Sequence, residues 1–287
     1  MRDPLFIISL GRSGSTLLHH VLSNHPDVTW LSRLCDWYPH RPERNAFVMR
    51  LLKAPGGAVL RRGPLLPTEP YGFWDHYCPG FSRPCRDLRS TDVTPRTRRL
   101  VRNAFARARP GGKRQLVAKI TGWPRINFLQ EIFPESRFIV LLRDGRALLA
   151  SALSRPWIEP WIGPGNWMWG DLSEPEREAW ERSGQSFVLL GAIGWTHLTQ
   201  AFSEATAKVP ADKLLEIRYE DLCQDPNSVL QGATEFAGLD WPTKYARTVE
   251  SLDLKVQNHR WREDLSDAQQ QELESYMRQD LETQGYL

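Results

Sequence analysis

Six residues near the amino terminus, Gly11-Arg12-Ser13-Gly14-Ser15-Thr16, combine small side chains, hydroxyls and one guanidinium. They stand between an apolar run and an amphipathic stretch, so successive backbone N–H groups and a helix N-terminus can converge on one anion. An ATP-hydrolysing loop of the Walker type would need a lysine immediately before the Ser/Thr, and here Gly14 and Ser15 precede Thr16. Arg12 can still bring a fixed, bidentate positive charge to a phosphate or sulfate oxygen. A plain strand-to-helix turn is the lesser alternative for so many small residues.

A second cluster is Arg143-Asp144-Gly145-Arg146, followed by Ser151 and Arg155. On a helix starting near Gly145, Ser151 and Arg155 are four apart and share one face, which can meet a second phosphate. The alternative is a strand-end ion pair between Arg143 and Asp144 with a solvated helix behind it. Asp144 also lies where nucleotide kinases carry a magnesium-binding Asp, but without the loop lysine that reading lacks its second half.

These clusters need a scaffold, and the hydrophobic pattern supplies one. Leu5 to Leu10 reads as a buried strand, and Leu17, Leu18, Val21 and Leu22 keep one face of the next helix apolar up to His25-Pro26. Gln115 to Ile120, Arg137 to Leu142 and Leu214 to Arg218 are further strands, with a helix opened by Pro124 between the first two. Asp225-Pro226 opens a helix that ends near Gly238, and Ser266 with Gln269 forms a capping box for a last one. Strands apolar on both faces and alternating with helices predict an α/β, P-loop-type three-layer fold: a central, mostly parallel sheet of about five strands, helices on both faces. Residues 40–114 and 156–170 break this rhythm and read as insertions into a single domain spanning 1–287 that shape the acceptor site.

The 287 residues are 41% hydrophobic, which suits an ordinary globular domain. A net charge of +3, from 37 basic and 34 acidic side chains, gives no sign of nucleic-acid binding but is compatible with a polyanionic cofactor. Met1-Arg2-Asp3-Pro4 and the short apolar run after it make neither a signal peptide nor a membrane anchor, so a soluble, cytoplasmic protein is expected. Cys35, Cys78, Cys85 and Cys223 lack the spacing of a zinc site and read as free thiols.

With both clusters in view, the chain resembles the PAPS-dependent sulfotransferases (PAPS is 3′-phosphoadenosine-5′-phosphosulfate), above all the protein-tyrosine sulfotransferases and their bacterial relatives. Arg12-Ser13-Gly14-Ser15-Thr16 is similar to the family loop that grips the 5′-phosphosulfate. Arg143-Asp144-Gly145-Arg146-Ala147 with Ser151 and Arg155 is similar to the group that holds the 3′-phosphate. Lys119 matches a lysine near the transferring sulfuryl group, Tyr219-Glu220-Asp221-Leu222 matches a segment whose tyrosine contacts the cofactor, and Arg260-Trp261 resembles a pair in a loop that closes over the nucleotide. The resemblance covers residues 4 to 36 and roughly 115 to 285. It implies a sulfotransferase using PAPS as co-substrate and no metal, with cofactor contacts from Arg12, Ser13, Gly14, Ser15, Thr16, Leu17, Arg143, Ser151, Arg155, Tyr219, Arg260 and Trp261, and catalysis by Arg12 and Lys119. A P-loop nucleotide kinase and an inactive PAPS-binding homologue are the competing readings.

Two gaps remain at the acceptor side. The glutamate of the tyrosine sulfotransferases falls near Ser32 and Arg33 here, and the histidine of the cytosolic enzymes falls at Thr121, so Asp36 is the candidate base by proximity in sequence. His19, His20, His40 and His76 are weaker candidates. Four of twelve tryptophans crowd between Trp157 and Trp169, where they either cover the end of the sheet or wall a pocket for a small-molecule acceptor, aromatic or sugar, which is the acceptor expected. The arginines from Arg83 to Arg102 could attract an anionic acceptor but more simply form a solvated helix face.

Overall fold

A computed structural model describes residues 2–112, 114–155 and 160–287. Strands β1 (Leu5–Ser9), β2 (Val28–Trp30), β3 (Gln115–Thr121), β4 (Arg137–Leu142) and β5 (Leu214–Arg218) form one sheet in the order β2-β3-β1-β4-β5. Every pairing is parallel, so the sheet expected to be mostly parallel is parallel throughout. The first half of the chain adds helices α1 (Ser15–Ser23), α2 (Leu34–Trp37), α3 (Glu43–Leu52), α4 (Tyr71–Tyr77), α5 (Pro95–Ala108) and α6 (Ile126–Ile132). Between β4 and β5 lie α7 (Gly145–Leu153), α8 (Glu174–Arg182) and α9 (Phe187–Thr206). The chain closes with α10 (Tyr219–Gln224), α11 (Pro226–Phe236), α12 (Thr243–Glu250), α13 (Trp261–Asp264) and α14 (Asp267–Thr283).

Successive strand residues point to opposite faces, and the core divides accordingly. Phe6, Ile8, Leu116, Ala118, Ile120, Phe138 and Val140 pack with Phe73, Val101, Phe105 and Phe128 on one side. Leu5, Ile7, Val117, Ile139 and Leu141 pack with Leu18, Leu22, Leu230 and Ala233 on the other. The result is three layers. Part of the first layer comes from residues 40–114: α5 starts behind Thr94, whose hydroxyl accepts from the Thr97 N–H at 3.0 Å, and it buries Val101, Ala104, Phe105 and Ala108. Two of the exposed arginines of α5 are bound to neighbours, Arg98 to Glu131 and Arg107 to Glu43.

Strand order determines where the chemistry gathers. The chain moves from β1 outward to β2 and β3 on one side, then to β4 and β5 on the other, so crossovers part above β1 and β4. Ligands of open parallel sheets bind in that crevice, at the carboxyl ends of the strands. Both cationic clusters follow strand ends there. No described helix is long and apolar enough to cross a membrane.

The aromatic cluster under α5 offers a check on the packing. The Phe105 ring lies against Phe6, Phe73, Trp74 and Phe133, with centroids 4.9–6.3 Å away. Phe105→Ala should cost about 3–5 kcal/mol, read as a lower urea midpoint at unchanged slope.

Candidate active site

The loop after β1 turns through two left-handed residues, Arg12 at φ 71° and Gly14 at φ 90°. A Cβ on Gly14 would lie 2.6 Å from Cδ2 of Tyr219, so backbone conformation and the overlying ring both call for glycine. Ser13 is buried and donates its hydroxyl to the Leu10 carbonyl at 2.8 Å, which closes the loop. Ser15 is buried at the start of α1, Leu17 packs partly against the core, and Thr16 is exposed. The first N–H groups of α1 have no partner inside the helix and face the crevice as donors.

Arg143 braces this loop from β4. Its guanidinium donates to the Arg12 carbonyl at 2.7 Å, to the Gln257 carbonyl at 3.0 Å and to Asn258 Oδ1 at 3.0 Å, and lies 4.2 Å from the centroid of the Tyr219 ring. Arg12 Nε donates to Ser151 Oγ at 3.1 Å. Arg12, Arg143, Ser151, Arg155, Tyr219, Arg260 and Trp261 therefore line one pocket of about 640 Å³. A recess of about 720 Å³ beside Leu5 and Arg137, at the opposite ends of the strands, contains none of these motif residues.

The two residues after Arg143 have framework roles. Asp144 does not pair with Arg143; it caps α7, accepting from the Arg146 N–H at 3.0 Å, and binds the Arg146 guanidinium at 2.9 Å. Arg146 also reaches Glu274 at 2.8 Å and the Tyr286 carbonyl at 2.9 Å, so its donors are committed. Its guanidinium lies 5.1 Å from the Trp261 ring, which is buried on Ala147 and Ala150. Positive charge in the pocket is thereby left to the others. Burial first, then the charges of Arg155 and Arg143, push Arg12 below its ordinary pKa, a strain that a bound anion would relieve.

Lys119 has the same strand parity as Val117 and so projects to the α1 side, where Nζ donates to Thr16 Oγ1 at 3.1 Å. It also pairs at 3.1 Å with Glu69, both side chains being about nine-tenths buried. Nothing near Glu69 in the sequence marks it: it lies in a proline-flanked stretch before α4, inside the segment that matches no motif. Its carboxylate also accepts from the Thr121 N–H, from Thr121 Oγ1 at 2.9 Å and from the Tyr71 hydroxyl at 2.5 Å. Burial, and after it the charge of Glu69, pushes the Tyr71 phenol above its usual range, so Tyr71 stays a donor.

Asp36, chosen from sequence proximity, lies elsewhere. It accepts from the Gly72 N–H at 2.7 Å in the first turn of α4, burial raises its pKa, and it lines neither pocket of the crevice. His19 is buried beside the Val117 carbonyl and pushed down to about 3, by burial first and Lys119 second. His20 faces the Pro67 carbonyl at 3.3 Å. Glu69, not Asp36, is the carboxylate that meets Lys119.

A second pocket, of about 520 Å³, opens on the other side of the loop; Arg12 lines both pockets, and Glu69 and Thr121 lie in this one. Of the Trp-rich stretch, Trp169 lines it, while Trp157 lies outside the described residues. Among the described residues, no group of three or more His, Cys, Asp or Glu side chains could hold a metal ion.

A parallel sheet carrying a glycine-serine loop after β1 and a cationic cluster after β4 defines an α/β protein of the P-loop type. Residues 4–243 match the model of the Sulfotransferase family, and the chain belongs to that family. The nodulation protein NoeE of Sinorhizobium fredii is 28% identical over 164 residues, covering 55% of this chain and 32% of that protein, so the match spans about a third of that relative. Sulfotransferase STF9 from Mycobacterium avium superimposes with a TM-score of 0.60 at 15% identity, over 98% of this chain and 76% of that one. Sulfotransferase STF1 from Mycobacterium tuberculosis gives 0.54 at 14% identity, over 96% and 77%. At such identities the likeness shows the fold, which agrees with the architecture expected from the sequence.

The contact between Gly14 and Tyr219 can be tested directly. Gly14→Ala should lose about 1–3 kcal/mol of stability from the left-handed backbone and the collision with the ring. In a Tyr219→Ala background the loss should shrink to the backbone part, measured as a coupling energy in a double-mutant denaturation cycle.

Proposed function

We propose that the chain transfers the sulfuryl group of PAPS in line to a hydroxyl or amine acceptor and releases adenosine 3′,5′-bisphosphate. The observation that carries this reading is the position of Arg12, which lines both the cationic pocket and the pocket holding Glu69. A group bound at the loop would stand between the two.

The cationic pocket fits the co-substrate in charge. Its lining has four arginines, Arg12, Arg143, Arg155 and Arg260, against one carboxylate, Asp264. The N–H groups from Gly14 to Leu17 and Arg12 would hold the 5′-phosphosulfate, with the buried Ser13 and Ser15 keeping the loop in shape. Arg143, Ser151 and Arg155 would hold the 3′-phosphate, Tyr219 would wall the nucleotide beside the loop, and Arg260 and Trp261 would close over it. PAPS supplies an activated sulfuryl group when bound. Residues 1–287 act as a single domain in this reading, with parts of 40–114 and 156–170 forming the acceptor side.

Transfer needs a proton acceptor and charge stabilisation at the reacting centre. Glu69 takes the proton as the acceptor O–H (or N–H) bond breaks and the acceptor atom bonds to sulfur. The bond from sulfur to the 5′-phosphate oxygen breaks and leaves its electron pair on the departing bisphosphate. Lys119, which touches both Glu69 and Thr16, would stabilise the charge that develops on the bridging and sulfuryl oxygens; turning toward them would free a lone pair on Glu69 for the incoming hydroxyl.

Calorimetry should show adenosine 3′,5′-bisphosphate binding without metal and more tightly than ATP with magnesium; the reverse order would favour a kinase. Arg143→Ala should weaken the bisphosphate by about 10- to 100-fold, because a charge-assisted contact is lost. Adenosine 5′-phosphate, which lacks the 3′-group, should weaken far less, and equal losses would count against the assignment of Arg143. Glu69→Gln should lower turnover by about 10²–10⁴, and Lys119→Ala by about 10²–10³, with bisphosphate affinity little changed in the Gln variant. An Asp36→Asn variant should keep its turnover, and a loss as large as that of Glu69→Gln would return the base to Asp36.

A further inference from the structure

The pocket beside Glu69 has walls of one chemical kind. Trp123, Leu148, Met168, Trp169, Trp195 and Leu198 line it, and its charged groups are Glu69, Arg12 and Arg83. Glu69 is buried beside Lys119, Arg12 is shared with the cationic pocket, and Arg83 is exposed. Polar recognition is therefore confined to the reacting end and the mouth.

The walls are held in place by packing. A Cβ on Gly191 would lie 2.5 Å from Leu149 Cδ1, and one on Gly194 would lie 2.6 Å from Trp169 Cε3, so these glycines of α9 let both side chains rest directly on the helix. His197, one turn further along α9, ties the Trp169 carbonyl at 2.7 Å and Glu176 at 2.8 Å. Arg125, itself buried, bonds the carbonyls of Phe81 and Trp123 at 3.1 and 2.6 Å and thereby joins the Ser82–Arg83 edge to the Trp123 edge. A cavity of about 520 Å³ built in this way is in the range of pre-formed sites for drug-sized ligands.

We infer that this pocket takes an apolar alcohol or phenol whose single inward hydroxyl meets Glu69, and not a sugar or a peptide tyrosine; the inference rests on the reading of Arg12, Lys119 and Glu69 as sulfuryl-transfer groups. A sugar would bring several hydroxyls against indole and aliphatic walls, and each one stripped of water without a partner weakens binding by about 5- to 100-fold. A peptide would add backbone N–H and C=O groups to the same apolar surface. A cationic acceptor would meet Arg12 and Arg83, whereas an anionic tail is tolerated where Arg83 stands. The walls fit fused rings or an alkyl chain.

The test uses the whole chain with PAPS and three acceptor sets: 2-naphthol, 1-decanol and a sterol; methyl glycosides; and tyrosine-containing peptides. Mass spectrometry reads sulfonate addition, and calorimetry reads the binding of each acceptor to the complex with adenosine 3′,5′-bisphosphate. The apolar set should bind and give product with kcat/KM at least about tenfold above the other two. Ala152→Phe, which puts a ring into the pocket from α7, should raise KM for the sterol by about tenfold or more while bisphosphate affinity stays within about twofold. Sulfated glycoside or peptide with the apolar set silent overturns the acceptor class and leaves sulfuryl transfer standing. Bisphosphate binding with neither binding nor turnover of the apolar set overturns it as well. Failure to bind the bisphosphate at all removes the reading beneath it.

Discussion

The guanidinium groups of Arg12, Arg143 and Arg155 repel one another, yet the fold brings all three to one recess from the loop after β1, the end of β4 and the far end of α7. Arg143 is held from several directions at once, by two carbonyls, an amide oxygen and the face of Tyr219. Two neighbouring carboxylates are committed elsewhere, Asp144 to Arg146, and Glu220 to Asn258 and the Asp144 N–H, which leaves Asp264 as the one carboxylate of the lining. Positive charge is therefore concentrated in that recess. Much of the surrounding structure, from Gly14 under Tyr219 to Arg146 under Trp261, serves to keep that arrangement in place.

The parallel sheet converts this constraint into two adjoining pockets. β1 is the central strand, with β4 on one side and β3 on the other, so the loop that follows it touches the cationic cluster after β4 and the Lys119–Glu69 pair at β3. Strand parity does the rest, since the alternation that sends Ile120 into the core sends Lys119 to the α1 face. Arg12 stands at the junction. A cationic pocket and a largely apolar one thus share a wall at Arg12.

Much of this was legible along the chain. The anion loop, the strand-end arginine and the helix face with Ser151 and Arg155 are short contiguous patterns, and their spacing within one element already places them in space. The helix α5 was partly legible: Val101, Ala104, Phe105 and Ala108 have helical spacing, but the arginines between them gave the stretch the look of a solvated insertion. Glu69 was not. Its carboxylate meets Thr121 across 52 positions and Lys119 on the same strand, and a tyrosine two residues on gives no sign of either contact. Asp36 was chosen for nearness in sequence, and the fold uses it to cap α4.

By itself the sequence determined the kind of sheet and the places of the glycine-serine loop and the strand-end arginine, because these follow from the periodicity and spacing of neighbouring residues, and its motifs carried the resemblance to the family. Only the tertiary structure decided which carboxylate faces Lys119 and what lines the pocket beyond it. Those depend on side chains from β3, α7, α9 and the segment before α4 meeting across long sequence separations, and local pattern does not specify long-range contacts.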